Sequence, residues 1–247
     1  MSDAACRPDA EAVRAAAVRL RGHLVATPLI GGLLLPGFAH AADVRIKPEL
    51  LQPGGSVWFR GHLHFMLRSM GRPVGLAWVE GSGSVVSAAA AAASCRLPLR
   101  VFVRAPLGSM EAAAVAHLGA EVVCVEDPAG AAWALGRSGG FTLLPGAEHP
   151  DVAAGLATLG LELASAMPWD AAVVHVVPGL GAAVASGLVA GGHGAAVVEV
   201  PWVPGTDALG ASLLAHHGLR AGAGSLAALA AALGRGEPGC TVSILEY

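Results

Sequence analysis

Few side chains in this sequence can do acid–base or covalent chemistry, and they fall in short segments. Of 15 Lys+Arg residues one is lysine, Lys47, which leaves 14 arginines. The stretch that Lys47 opens runs through Ser56, Trp58 and Arg60 to Gly61-His62-Leu63-His64. His62 and His64 are two apart, so on a helix they face different sides, and no third ligand is usefully spaced near them; no metal site is expected. Either histidine could act alone as an acid or base near neutral pH, or be a half-buried histidine with one backbone partner. Glu80 precedes the loop Gly81-Ser82-Gly83-Ser84 at the end of an apolar run. A carboxylate desolvated there by Trp58 and Val85 would have a raised pKa and could move a proton; the plainer reading is a solvated loop residue. Ser56, Ser82 and Ser84 are hydroxyls at the same mouth, able with nearby backbone N–H groups to hold a carboxylate. No serine shows a legible His-Asp arrangement, so nucleophilic hydrolysis carries little weight.

The elements that must position these residues alternate. Helical spacing over 9–24 is followed by a short strand at 44–47 and a helix over 59–70 that Gly71-Arg72-Pro73 should end. Strands are expected at 74–79, 99–104 and 121–125, with helices at 85–95 and 109–118 between them. The later half repeats the grammar: helix 153–166, strand 171–177, helix 181–189, strand 195–200, helix 226–233 and strand 241–245. Such alternation specifies an α/β chain with parallel sheets covered by helices on both faces. His175 falls inside a buried strand and reads as a satisfied core histidine. His216-His217 before Gly218 reads as a helix C-terminus. Glu199 ends a strand and either faces the crevice at the strand ends or is a surface charge.

Composition narrows the classes. Apolar residues are 54% and charged ones 13%, which excludes a disordered chain. Alanine is prominent and there are 34 glycines, so the core has to be built by close backbone approach together with Leu and Val. A net charge of -3 gives no basic footprint for nucleic acid. The longest alanine-rich helical stretch, 85–94, is too short to span a membrane. Residues 1–5 lack the basic and apolar regions of a secretion signal, and Cys6, Cys95, Cys124 and Cys240 form no CxxC pair, so a cytoplasmic protein with reduced thiols is expected.

Lys47-Pro48-Glu49-Leu50-Leu51-Gln52-Pro53-Gly54-Gly55-Ser56-Val57-Trp58-Phe59-Arg60-Gly61 resembles the Lys-x-Glu-x-x-Gln-x-Thr-Gly-Ser-Phe-Lys-x-Arg-Gly signature of the tryptophan synthase β / threonine dehydratase family of pyridoxal-phosphate enzymes. Thr27-Pro28-Leu29, the loop from Gly81 to Ser87, Gly119-Ala120-Glu121-Val122 and Gly155–Glu162 also match segments of that family. The resemblance covers nearly the whole chain thinly. It implies a two-domain, three-layer fold of the tryptophan synthase β type. A small domain over 53–147 would be inserted in a large one formed by 1–52 and 148–247, the latter shortened because 200–241 is brief.

The resemblance also implies where the coenzyme would sit, and there the sequence departs from the pattern. The second lysine of the signature forms the Schiff base; here it is Trp58, whose indole nitrogen is only a donor. Ser84 and Val85 replace the Asn-His pair of the ring-holding loop. The glycine-rich phosphate cup is Pro178-Gly179-Leu180-Gly181, where proline removes an N–H and Leu180 adds a side chain. Glu246 lies near the family's late serine, which meets the pyridine nitrogen. Lys47 corresponds to a strand lysine that does not hold the coenzyme and reads as a paired surface or hinge charge, with Glu49 a partner.

Two functions follow as expectations. The first is an enzyme repurposed to work without pyridoxal phosphate in small-molecule, specialised metabolism. It would catalyse cyclisation, elimination or isomerisation by positioning and acid–base chemistry. Trp58 would wall the cavity, Ser56, Ser82, Ser84, Gly179 and Gly181 would hold the substrate, and Glu80, His62 or Glu246 would move the proton. The second is a non-catalytic pseudoenzyme that binds a ligand or pairs with a homologous subunit, since a shortened large domain would expose apolar surface; a homodimer would cover it equally well.

Overall fold

In the computed structural model, residues 6–33, 35–37, 43–69, 74–167, 171–234 and 240–246 are described. They fold around two parallel sheets. The first combines β1 (Asp43–Pro48), β6 (Ala171–Val176), β7 (Ala196–Glu199) and β8 (Cys240–Leu245) in the order β1-β8-β6-β7. The second combines β2 (Gly75–Val79), β3 (Leu99–Val103), β4 (Glu121–Cys124) and β5 (Phe141–Leu143) in the order β4-β3-β2-β5. All strand pairings within each sheet are parallel, so each crossover requires a helix or long connection. The α/β class with parallel sheets is therefore the architecture found. The first sheet is drawn from both ends of the sequence and the second from its middle.

Helices fill the crossovers: α1 (Ala10–Leu20), α2 (Trp58–Arg68), α3 (Val85–Cys95), α4 (Ser109–His117), α5 (Pro128–Gly139), α6 (Pro150–Ala166), α7 (Gly181–Ala190), α8 (Asp207–His217) and α9 (Ala223–Leu233). The expected terminator Gly71-Arg72-Pro73 and the segment 1–5 lie outside the described residues. α2 lies within the middle segment, yet it packs against α6 as well as α3 and so joins the two halves of the molecule. One continuous core runs across this joint, from Leu63 and Val85 through Leu156 and Leu159 to Val174 and Val242.

The small-residue composition has a direct structural use. A methyl on Gly187 would collide with the Ala157 carbonyl, and one on Gly160 with that of Val184, so α6 and α7 touch backbone to backbone. Such an approach gains many dispersion contacts per residue where large side chains are few. His175 is buried with Thr241 Oγ1 3.0 Å from its Nδ1, in accord with a satisfied core position. His216 and His217 end α8 before Gly218, which takes φ +65°, as expected of a helix C-terminus.

Candidate active site

The C-terminal ends of β1, β2 and β8 bring the chemistry-bearing segments together. β1 stops at Pro48, a single 3-10 turn at Glu49–Leu51 follows, and the loop through Ser56 delivers Trp58 as the first residue of α2. From β8, Glu246 extends one residue past the strand end. Ser56 is fully buried, and its hydroxyl donates to Glu246 Oε2 at 2.6 Å while accepting from the Trp58 N–H at 3.3 Å. The backbone of Glu246 is stapled on both sides: its N–H donates to Ser225 Oγ at 2.9 Å and its carbonyl accepts from the Gly222 N–H at 2.8 Å. Burial pushes the Glu246 carboxyl above the ordinary glutamate value and Glu49 adds to the rise, against the hydrogen bonds from Ser56 and the Val57 N–H.

Trp58 is half-buried and lies flat against the loop that follows β2. A methyl on Gly83, which has φ +96°, would collide with the indole six-membered ring. The ring also meets His62 one turn along α2, with centroids 5.6 Å apart. His62 is wholly buried; its Nε2–H donates to the Ser82 carbonyl at 3.1 Å, which leaves Nδ1 as a lone-pair nitrogen without a partner among the described residues. Burial lowers its pKa to about 4, so the imidazole is neutral at physiological pH. The Ser84 hydroxyl caps α3, accepting from the Ser87 N–H at 3.3 Å. Next to this cluster a cavity of about 320 Å³ opens between Gly54, Gly55, Ser84, Val86, Met110 and Arg220.

Several expectations are corrected by these positions. Glu80 is not desolvated by Trp58 and Val85: it is exposed, its Oε2 accepts from the Arg104 N–H at 3.0 Å, and the Arg104 guanidinium stands 4.0 Å from Oε1. Lys47 is neither a surface charge nor a partner of Glu49. It is 1% exposed, and its ammonium donates to the Thr27 carbonyl at 2.5 Å and to Glu162 Oε1 at 2.7 Å. Arg60 sits beside it, equally buried, bound to Glu49 through Nε at 2.7 Å and to Glu162 at 2.7 Å. Glu49 also accepts from Thr27 Oγ1 at 2.8 Å. The motif residues Lys47, Glu49, Arg60 and Glu162 are thus one charge-balanced network that ties β1, α2 and α6 together. No sequence spacing gives the pairing of residues 115 apart.

The turn expected to hold substrate through Gly179 and Gly181 has a side chain of the protein at its helix end. Gly179 is exposed with φ +89°, while the Leu180 side chain is fully buried beneath it. The Gly181 N–H, at the N-terminus of α7, donates to Glu199 Oε1 at 2.7 Å. A methyl on Gly181 would meet this same carboxylate at 2.7 Å. Glu199, left open in the sequence between crevice and surface, is solvent-exposed at the end of β7, and its carboxylate closes over the helix end. The sequence signal is its place at the end of β7, next to β6 and the turn that follows it.

Two parallel sheets, joined by α2 and carrying a ligand cleft at their strand ends, place the protein in a known class. The chain belongs to the pyridoxal-phosphate dependent enzyme family, whose model matches residues 20–242. A curated relative, L-threo-3-hydroxyaspartate ammonia-lyase from Pseudomonas sp, is 32% identical over 154 residues, 60% of this chain. That match spans about half of the relative, 48% of its length. Among solved structures, T.th. threonine deaminase superposes with a TM-score of 0.81 over 97% of each chain at 22% identity. Serine racemase from Dictyostelium discoideum gives 0.80 over 97% of this chain and 98% of that one at 14% identity. These likenesses establish the tryptophan synthase β-like fold over the whole chain. The relatives are lyases, racemases and deaminases. Among the described residues, no helix is long and apolar enough to cross a membrane and no group of His, Cys, Asp and Glu could hold a metal.

Proposed function

We propose that this chain is a family member that works without pyridoxal phosphate, an enzyme of small-molecule metabolism using acid–base chemistry in the former coenzyme cleft. The carrying observation is the Glu199 carboxylate on the Gly181 N–H. A phosphate dianion at the same helix end would be repelled by it and would find Pro178 without an N–H to offer. At the other end of the coenzyme the Trp58 ring lies on Gly83 where an amine would be required. The residues present do not fit the group at either end.

The chemistry this reading assigns is proton movement on a bound molecule, of the kind that cyclisation, elimination or isomerisation needs. Glu246, kept protonated to a higher pH by burial, is the acid. Ser56 at 2.6 Å fixes its orientation and lies next in sequence to Gly54 and Gly55, which line the cleft cavity. Trp58 packs on Gly83 in the loop that leads to Ser84, and His62 holds the ring and the Ser82 loop in place rather than reaching the substrate. Glu80 leaves the set because it is engaged at the surface with Arg104. A substrate of modest size with a polar group near Ser84 suits the cavity, whose volume falls at the lower end for small-molecule sites.

A direct test is coenzyme retention. After incubation with pyridoxal phosphate and gel filtration, the protein should carry no stoichiometric chromophore and no borohydride-fixed mass. Stoichiometric retention would refute the reading.

A second reading is favoured by one observation: Val198, Trp202 and Val203 are 40%, 60% and 44% exposed on and just beyond the edge strand β7. This apolar edge suits a partner subunit, whether a second copy or a homologue, in a non-catalytic role. Light scattering during size exclusion distinguishes the two: a monomer at micromolar concentration that co-purifies with nothing removes the partner reading.

A further inference from the structure

Away from the cleft, a hollow of about 390 Å³ opens between α1, the last turn of α2 and the first turn of α6. Its charged lining is Arg7, Arg19, Arg68, His64, Asp9 and Asp151. Both carboxylates are engaged: Asp9 Oδ1 caps α1 by accepting from the Ala12 N–H at 2.8 Å, and Asp151 Oδ1 pairs with Arg68 Nε at 3.2 Å. His64 Nδ1–H donates to the Asp151 carbonyl at 2.7 Å, so Nε2 is an acceptor, and it is met by Arg19 Nη1 at 3.0 Å. The counter-group of Arg19 is therefore a neutral imidazole. Arg7 makes no hydrogen bond or ion pair among the described residues.

This arrangement carries an excess of positive charge on exposed guanidiniums. Three guanidiniums face two carboxylates that already have partners. The buried His64 is pushed below the ordinary imidazole value, chiefly by burial and further by Arg19 and Arg68. The N-termini of α1 and α6 open onto the same space and add positive potential. What would balance it is an anion with several acceptor oxygens, since guanidinium forks match phosphate geometry.

We propose that this hollow is a binding site for a phosphate dianion, free or carried on a small metabolite, held by Arg19 and Arg68 with Arg7 at the rim. The site is independent of the coenzyme question, because it lies on the opposite end of α2 from Trp58 and shares no residue with the 178–181 turn. Binding there would replace the Arg19–imidazole contact by a guanidinium–phosphate one and bear on α2, the helix that carries Trp58.

The test is calorimetric titration of the whole chain with inorganic phosphate at low ionic strength, repeated with methyl phosphate. One saturable site is expected, weakened by added salt. Arg19→Ala and Arg68→Ala should each weaken it about tenfold or more, the loss expected for a charge-assisted contact. Circular dichroism should stay unchanged, since both side chains are exposed at helix ends. The His64 ring resonances should move on phosphate addition in the native protein and stay still in Arg19→Ala. Tighter binding of the ester would identify a metabolite phosphate, and equal or tighter binding of the bare ion would identify free phosphate. The proposal is overturned if no saturable binding occurs, or if the Arg19→Ala/Arg68→Ala double variant binds as the native chain does.

Discussion

The seat of the Trp58 ring can be tested by a double-mutant cycle with Gly83. Any side chain at 83 must adopt the positive φ of +96° and must also enter the space of the indole. The first effect costs of order 1–3 kcal/mol. The second, an overpacking cost against a ring fixed on α2, adds about 1–3 kcal/mol. Gly83→Ala should therefore destabilise by roughly 2–6 kcal/mol. Trp58→Ala removes a half-buried ring and should cost less than the ~3–5 kcal/mol typical of a fully buried one. In the double variant the backbone strain remains but the collision is gone, so the combined loss should fall short of the sum by about 1–3 kcal/mol. Urea denaturation of the four proteins, followed by far-ultraviolet circular dichroism, measures each quantity. Additivity within about 0.5 kcal/mol would mean that the ring does not lie on Gly83. An indole filling the imine end of the cleft would then be untenable.

Other outcomes follow from the same geometry. Arg60→Ala leaves the fully buried Glu49 without its guanidinium, and should cost about 3–5 kcal/mol in denaturation free energy. His62 has a folded-state pKa of about 4, below its unfolded value, so stability should be lost as pH falls from near 6.5 towards 4. That loss amounts to roughly 3 kcal/mol for this group, and NMR titration of the ring checks the midpoint. Glu246 is shifted the opposite way: its contribution is full below the unfolded glutamate value and is lost as pH rises through the raised one. Glu246→Gln keeps a partner for Ser56 and should flatten that limb, leaving the variant more stable than the native chain at neutral pH in thermal melts. Trp58→Lys alone should not restore stoichiometric coenzyme retention, whereas adding Glu199→Ala should raise it, measured by absorbance after gel filtration.

The fold is legible in the sequence because its signals are local and repeated. Alternating apolar runs and helical periods locate most strands and helices, with ends shifted by a few residues. α5 and β5 escape such reading. The strand has three residues, and the helix is rich in Ala and Gly with Trp133 facing solvent, so neither carries a strong period. At the site, the resemblance implies which signature position Trp58 occupies, but partnerships over long separations are invisible. Glu80 looks desolvated because Trp58 and Val85 are expected to crowd its loop; only the neighbouring strand end reveals Arg104. Lys47 looks exposed because lysines usually are, and Glu162 arrives from 115 residues away.

Three of the signature's charged positions and one substitution point to a division of labour within the motif. Lys47, Glu49 and Arg60 lock with Glu162 in a network that joins β1, α2 and α6, whatever the cleft contains. Losing Arg60 would strand the fully buried Glu49, and losing Glu162 would leave the buried Lys47 without a carboxylate, so these residues are held by the fold itself. The lysine of the signature that does chemistry is under no such constraint. Its place at the first turn of α2 accepts a flat ring that packs on Gly83. Likewise the α7 end, whose first N–H groups lack partners within the helix, has one of them satisfied by Glu199 from the adjacent strand. On the proposed reading, the parts of the motif that build the scaffold persist here, and the parts that would touch a coenzyme have given way to contacts made within the chain, Trp58 on Gly83 and Glu199 on the Gly181 N–H.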